Sequence, residues 1–210
     1  MAGLRERKKQ RTRDALIRAA HEFFVTHGYE ATTVDQISEA VDVSQRTFFR
    51  YFSSKEDVAF ALQDEVEARF FDAVVARPAD ESPMRALRNA LDSTWASIGE
   101  AIQEVVPLSV YLRMWQVIET TPVLVAVHMW RSTEMEGRLA AVFAEREGLD
   151  PRSDPRPQVL VASFSGVMRA AGRQWGCGPD ITVEAARHQI ESYMDLMGPV
   201  LSDDWGTPSG

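Results

Sequence analysis

The densest group of side chains able to make specific hydrogen bonds lies between Ser44 and Phe52. Phe48 and Phe52 are one helical turn apart, so a helix over this segment would bury both on its inner side. Its outer side would carry Gln45, Arg46, Phe49 and Arg50. A guanidinium such as that of Arg46 can bond bidentately to guanine O6 and N7, and the Gln45 amide can pair with adenine. The pattern predicts a helix that reads base edges in the DNA major groove.

Two other groupings of reactive residues are weaker. His21 and Glu22 begin a pattern similar to the zinc-protease HExxH motif, but the second histidine, His27, follows at i+6 instead of i+4. On a helix the two rings would point to different faces, so they could not share a metal ion. Cys177 lies in a Gly-Cys-Gly-Pro turn without a surrounding nucleophile motif. We therefore predict no catalytic residue, no metal site and no cofactor.

Two helices must come before the segment and support it. Residues 12–27 carry an apolar stripe at helical spacing, and Gly28 follows as a natural C-terminal stop. Thr33 with Gln36 three positions later has the spacing of a capping box. The spacing predicts a short second helix that begins just after Thr33.

A tight turn and a third helix come next. Asp42 is a residue type that tolerates the left-handed backbone of such a turn, and Ser44 is a suitable cap for a third helix running through Phe52. About three residues then join the second and third helices, which is the helix-turn-helix connection. Ser53 or Ser54 would cap a long fourth helix that continues until Pro78.

Beyond a linker at residues 77–83, every segment has helical periodicity. The predicted helices span Pro83–Glu104, Pro107–Glu119, Pro122–Glu147, Pro157–Trp175 and Thr182–Leu201. The predicted fold is all-α, with an N-terminal basic arm and three-helix helix-turn-helix domain over residues 1–55. A C-terminal helical bundle is expected over residues 56–201 and a disordered tail over residues 202–210.

Charge is distributed unevenly along the chain. The net charge of -8 would argue against nucleic-acid binding if it were uniform, but residues 1–55 hold ten Lys/Arg and seven Asp/Glu, net +3, and the rest carries -11. The positive side chains near the N-terminus are Arg5, Arg7, Lys8, Lys9, Arg11, Arg13 and Arg18. Such a run is either a solvated arm or a phosphate-binding arm ahead of the first helix.

Cysteine content and hydropathy indicate the cellular compartment of the protein. Cys177 is the only cysteine, so no intrachain disulfide can form, which suits a reducing compartment. No segment approaches the ~20 apolar residues that a membrane span needs. We expect a cytoplasmic protein.

The segment from Thr32 to Asp57 resembles the signature of the tetracycline-repressor (TetR) family of bacterial regulators, and the resemblance covers roughly residues 12–60. Its core consists of Ile37, Val43-Ser44, Thr47, Tyr51-Phe52 and Ser54-Lys55-Glu56. The resemblance implies sequence-specific binding to double-stranded operator DNA. The remaining residues match only in being helical and of the expected length.

The resemblance also implies individual roles. Thr33, Ser44, Thr47, Tyr51 and Lys55 match family positions that usually contact phosphate, and such contacts set register and affinity without reading sequence. Two positions depart from the commonest pattern, because Arg46 stands where glycine is frequent and Phe49 where tyrosine is frequent. Arg46 adds a base contact, whereas Phe49 lacks a hydroxyl and either presses on a thymine methyl or packs in the core.

The C-terminal part is rich in aromatic and methionine side chains. They either fill the core of a bundle or, as the resemblance implies, line a pocket for a small apolar or aromatic effector. The predicted lining is Trp95, Tyr111, Trp115, His128, Phe164 and Met168.

The resemblance further implies a homodimer through the last two long helices. Small residues such as Ala162, Gly166 and Ala170 would allow close approach, and a stripe including Val161 and Phe164 would face inward. A twofold dimer places two recognition helices about 34 to 36 Å apart, the spacing of successive major grooves in a palindromic operator. Effector binding would shift the fourth helix and the segment from Pro107 to Pro122, so that this spacing is lost.

The competing function is a ligand-binding or interaction module whose DNA-binding domain is weak or nonspecific. Such a module would keep Lys55 and the basic arm but would not need Gln45 and Arg46. The presence of both readout residues favours the regulator.

Overall fold

The structure is a computed structural model that describes residues 3–179 and 182–201. Every regular element in these two ranges is an α-helix, which confirms the predicted all-α fold. The helices are α1 (Leu4–His27), α2 (Val34–Ala40), α3 (Gln45–Phe48), α4 (Lys55–Val75), α5 (Pro83–Val105), α6 (Leu108–Thr120), α7 (Pro122–Arg146), α8 (Arg156–Gly176) and α9 (Val183–Leu201). The predicted tail, residues 202–210, lies outside the described residues.

The first helix starts earlier than predicted. We expected a basic arm followed by a helix from Thr12, but α1 begins at Leu4 with Gly3 as its N-cap. The lysines, arginines and glutamine of the supposed arm are good helix formers, and no glycine or proline separates them from Thr12. At the other end the prediction is confirmed, because Gly28 has a φ of 88° and its N–H bonds to the Phe24 carbonyl at 3.1 Å.

The third helix is shorter than predicted. We expected it to run through Phe52, but α3 ends at Phe48 and residues 49–51 form turns. The N–H groups of Arg50 and Tyr51 bond to carbonyls three residues back, at 3.2 and 2.8 Å, so the chain winds more tightly here. This winding still lets both Phe48 and Phe52 reach the core.

The later helices agree with the predicted boundaries to within two residues at each end. The chain forms two compact units that divide between Val127 and His128, within α7. None of the helices in the described ranges is long and apolar enough to cross a bilayer.

In the first unit, α1 packs against α2, α4, α5 and α6, and α4 packs against α5. Their apolar faces share one core. Its fully buried members include Leu16, Ile17, Phe24, Ile37, Phe48, Val58, Met114 and Ile118. The helix-turn-helix segment is thus fixed to a continuous apolar interior.

In the second unit, α8 packs against α9. The inward stripe predicted for α8 is buried at Val161 and Phe164, and α9 contributes Ala186 and Ile190 to the same interior. Arg169 of α8 donates to Glu136 of α7 at 2.5 Å, so an ion pair links these two helices as well.

Candidate nucleic-acid interface

The turn between α2 and α3 sets the direction of the reading surface. Asp42 has a φ of 55°, the left-handed conformation that its residue type was predicted to adopt. The Thr33 hydroxyl accepts from the Gln36 N–H at 3.2 Å, and Gln36 Oε1 accepts from the Thr33 N–H at 2.8 Å, so the predicted capping box is present. Ser44 caps α3 by accepting from the Thr47 N–H at 3.2 Å. Each of these bonds joins residues three apart.

The outer side of α3 is open to solvent. Gln45 and Arg46 are both exposed, and the Gln45 amide donates to a carboxylate oxygen of Asp35 on α2. The Arg46 side chain has no partner among the contacts of the described residues, so its guanidinium is free to meet a base edge. The Gln45 amide must break its hydrogen bond to Asp35 before it can bond to a base.

Two adjacent phenylalanines have opposite surroundings. Phe48 is fully buried, whereas 51% of Phe49 is exposed. Their rings meet edge to face with centroids 5.4 Å apart. Phe48 thus fills the core as predicted, whereas the exposed ring of Phe49 does not fit the alternative of core packing.

Hydroxyl groups surround this outer side. Thr33 and Ser44 are exposed, Thr47 is half-buried, and the Ser44 and Thr47 hydroxyls lie 3.1 Å apart. Tyr51 is partly buried against the core, and the guanidinium of exposed Arg50 lies 5.3 Å from its ring centroid. The predicted phosphate-contacting residues of this segment are therefore all at least partly exposed, and two of them, Ser44 and Thr47, are adjacent.

Lys55 is occupied within the chain. Its Nζ donates to the carbonyls of Tyr29 and Thr32 at 2.9 and 3.0 Å and lies 4.0 Å from the Tyr29 ring centroid. The Tyr29 hydroxyl in turn donates to Glu56 at 2.5 Å, and burial, together with this carboxylate, raises the pKa of Tyr29. The ammonium thus fixes the α1–α2 loop to the start of α4.

The basic residues of α1 fall into two sets. Arg13 donates to Glu65 at 2.7 Å, and Arg18 Nε donates to the Val105 carbonyl at 2.7 Å. Both belong to the basic run that is predicted to be either a solvated or a phosphate-binding arm, but they hold α1 against α4 and against the end of α5. The exposed cations of the first turns are Arg5, Arg7, Lys8, Lys9 and Arg11.

The predicted effector-lining residues fall in separate units. Trp95, Tyr111 and Trp115 belong to the first, and His128, Phe164 and Met168 to the second. Phe164 is buried in the core of its unit. Burial and the nearby Arg169 and Arg173 lower the pKa of His128 to about 4, so this imidazole is neutral at pH 7.

Two arginines that hold α1 in place could not be identified as such from the sequence. Besides Arg18, Arg113 of α6 donates to the Val25 carbonyl in the last turn of α1 at 3.3 Å. Both arginines lie on polar helix faces, and nothing in a single sequence separates them from solvent-exposed arginines.

The two histidines of the HExxH-like pattern have different surroundings. His21 is fully buried with its Nε2 3.1 Å from the Val58 carbonyl, whereas His27 is exposed. Among the described residues, no cluster of three or more His, Cys, Asp or Glu side chains could hold a metal ion.

An all-α chain with an outward-facing helix-turn-helix surface belongs to the class of DNA-binding regulators. Residues 16–62 match the family model of the tetR family of bacterial regulatory proteins, and residues 81–200 match the model of the MftR C-terminal domain. The chain is 44% identical over 206 residues to the HTH-type transcriptional regulator TcmR of Streptomyces glaucescens, covering 98% of this chain and 91% of that protein. The chain belongs to the tetR family.

Two further comparisons cover different parts of the molecule. The HTH-type transcriptional repressor NicS of Pseudomonas putida is 30% identical over 94 residues, covering 44% of each chain. The crystal structure of NalD, the secondary repressor of the MexAB-OprM multidrug efflux pump in Pseudomonas aeruginosa, superposes with a TM-score of 0.58 at 16% identity, covering 95% of this chain and 100% of that one. The chain is a sequence-specific DNA-binding transcriptional regulator, and its family binds operator DNA and small-molecule effectors as dimers.

Proposed function

We propose that this regulator is a cytoplasmic homodimeric repressor that leaves a palindromic operator when a small apolar or aromatic effector binds. The observation that carries the proposal is the free, exposed guanidinium of Arg46 on a helix whose inner side is anchored by the buried Phe48. An exposed arginine without a partner, on a helix that is anchored in the core, is suited to bidentate contact with guanine.

The contacts with DNA divide into reading and positioning. Arg46, Gln45 and Phe49 are the proposed base-reading residues, since they occupy the exposed outer side of α3. The proposed phosphate contacts come from Thr33, Ser44, Thr47, Arg50, Tyr51 and the backbone of Lys55. The exposed cations in the first turns of α1 add nonspecific affinity that falls with salt.

We assign residues 1–55 to DNA binding and residues 56–201 to sensing and dimerisation. The proposed partner surface on α8 and α9 is the second copy of the chain. Val159 of α8 is 61% exposed and Leu196 of α9 is 53% exposed, and the small residues Ala162 and Ala170 of α8 are exposed as well. Exposed apolar side chains beside small residues suit close helix packing across a twofold axis.

Two hydrogen bonds, one joining α1 to α5 and the other joining α6 to α1, offer a route from the effector site to the DNA. Arg18 of α1 bonds to the terminal carbonyl of α5, and Arg113 of α6 bonds to a carbonyl in the last turn of α1. Each guanidinium meets the negative end of a helix dipole. A shift of α5 or α6 is therefore transmitted to α1, and with it to the helix-turn-helix.

The experiment is to select fragments from fragmented genomic DNA with the full-length protein and to compare the Arg46→Ala variant. The variant should lose its preference for the selected operator over bulk DNA by roughly 5- to 150-fold, while salt-sensitive nonspecific binding persists. The control is Arg85→Ala, which removes an exposed arginine of α5. An unchanged preference in Arg46→Ala would contradict the proposed readout.

A further inference from the structure

Gln63 of α4 is a polar side chain enclosed in an apolar interior. It is 3% exposed, and neither its Oε1 nor its Nε2 has a hydrogen-bond partner within the described part of the chain. The five preceding residues, 58–62, are also buried, so this stretch of α4 is covered on all sides. The carboxamide therefore offers one acceptor and two donors that the surrounding protein does not use.

Trp95 of α5 lies at the same level of the helix pair. A short connection joins α4 to α5 and the two helices pack together, so they run antiparallel. Gln63 lies about twelve residues before the end of α4, and Trp95 about twelve after the start of α5, so each is about 18 Å from the connection. The indole Nε1 of Trp95 is likewise buried without a partner among the described residues.

Tyr111 of a third helix lies within electrostatic range of this stretch of α4. Tyr111 of α6 interacts electrostatically with Glu67, which follows Gln63 by one turn on the same face of α4. Burial and this carboxylate raise the pKa of Tyr111, so its phenol stays protonated. Glu67 disfavours an anion nearby, and the two aromatic rings favour a planar apolar body.

We propose that Gln63 and Trp95 form the polar end of the effector site, and that they select a neutral effector carrying an amide, lactam or imide group. The effector carbonyl accepts from Gln63 Nε2 and Trp95 Nε1, and the effector N–H donates to Gln63 Oε1. This inference rests on the proposed function, because it assigns the chemistry of the molecule that releases the operator. It adds Gln63 to the predicted lining residues of the first unit, which are Trp95, Tyr111 and Trp115, and gives Trp95 a hydrogen-bonding role.

The test uses two naphthalene probes of similar size, 2-naphthamide and 2-ethylnaphthalene, titrated calorimetrically into the full-length protein. The wild type should bind the amide at least about tenfold more tightly than the hydrocarbon. Gln63→Leu should abolish most of this preference, and Trp95→Phe, which removes the indole N–H but keeps an aromatic ring, should reduce it by a smaller factor. Because leucine replaces an amide without partners by an apolar group of similar size, the variant should fold.

Gln103→Leu is the matched control, since Gln103 is exposed on α5. It should leave both affinities unchanged. Equal affinity for the two probes in the wild type, no binding of 2-naphthamide, or an undiminished preference in Gln63→Leu would overturn the proposal. The last outcome would show that Gln63 serves only the protein interior.

Operator binding is measured separately, so that the two proposals can fail independently. If 2-naphthamide binds through Gln63 but leaves operator affinity unchanged, the amide-selective site stands and release by its ligand is wrong. If another small molecule releases the operator equally from the wild type and Gln63→Leu, release stands and the polar end is wrong.

Discussion

The helix-turn-helix segment and the contacts of α1 with α5 and α6 are built in different ways. In the segment, the caps at Thr33 and Ser44 join residues three apart. Between α1 and the later helices, the bonds of Arg18 and Arg113 span 87 and 88 positions. The first region is shaped by its own neighbours in sequence, and the second by partners far along the chain.

This difference indicates how the two regions work together. A surface held by local bonds keeps its shape when its surroundings shift, so a movement of α5 or α6 would turn the reading surface as a body. The long-range bonds set where that body points. Four perturbations test whether the two regions differ in this way.

The largest effect is expected at Phe48. Phe48→Ala removes a fully buried ring and should lower the free energy of unfolding by about 3 to 5 kcal/mol, measured by urea denaturation at a fixed protein concentration. Phe49→Ala is the built-in control, because its ring is 51% exposed and its edge-to-face contact is worth at most about 1.5 kcal/mol. If both variants lost similar free energy of unfolding, the caps at Thr33 and Ser44 would not decide which of the two rings faces inward.

Local patterns made much of the fold predictable. Gly28, the capping box at Thr33 and the left-handed Asp42 each act through adjacent backbone, so residue type and spacing were enough. The same reasoning failed where two local states compete. The start of α1 and the end of α3 were wrong because helix propensity at Leu4 and core packing at Phe52 decided them.

The site was predictable only in its exposed part. The outer positions Gln45, Arg46 and Phe49 follow from helical periodicity, which is a local property. The surroundings of Lys55 and Gln63 depend on atoms that folding brings near, so the sequence alone shows only a lysine after a serine and an amide on a helix.

The second-largest effect is expected at Lys55, whose partners are 23 and 26 positions away. Lys55→Met keeps an unbranched side chain but leaves two partly buried carbonyls without their donor, which should cost about 2 to 3 kcal/mol in urea unfolding. Lys9→Met is the control, since Lys9 is 63% exposed and its distance to Glu6 is 3.8 Å. A loss below about 0.5 kcal/mol in Lys55→Met would show that the α1–α2 loop holds itself without α4.

A pH dependence tests the contact between α1 and α4. Burial lowers the pKa of His21 to about 4, so between its unfolded value near 6.5 and about 4 the unfolded chain binds a proton that the native state excludes. The contribution of His21 to the free energy of unfolding has its full value above the unfolded pKa and declines as the pH falls. From about pH 7.5 to about pH 5 the loss should be about 2 kcal/mol.

The matched variants are His21→Gln and His188→Gln. Glutamine can still donate to the Val58 carbonyl but does not titrate, so His21→Gln should flatten the pH dependence; His188→Gln replaces an exposed histidine instead. An equal pH dependence in the wild type and His21→Gln would place the acid sensitivity elsewhere.

The smallest effect is expected at Asp42, and it concerns the local region alone. Its φ of 55° costs alanine about 1 kcal/mol more than glycine, because a Cβ crowds the following carbonyl in the left-handed conformation. Asp42→Gly should therefore stay within about 0.5 kcal/mol of the wild type, and Asp42→Ala should fall about 1 kcal/mol below it. If the turn is as self-contained as its bonds suggest, Asp42→Ala should weaken operator binding without changing how far an effector reduces it. A change in that ratio would mean that the turn takes part in the long-range coupling, and the contrast between the two regions would no longer hold.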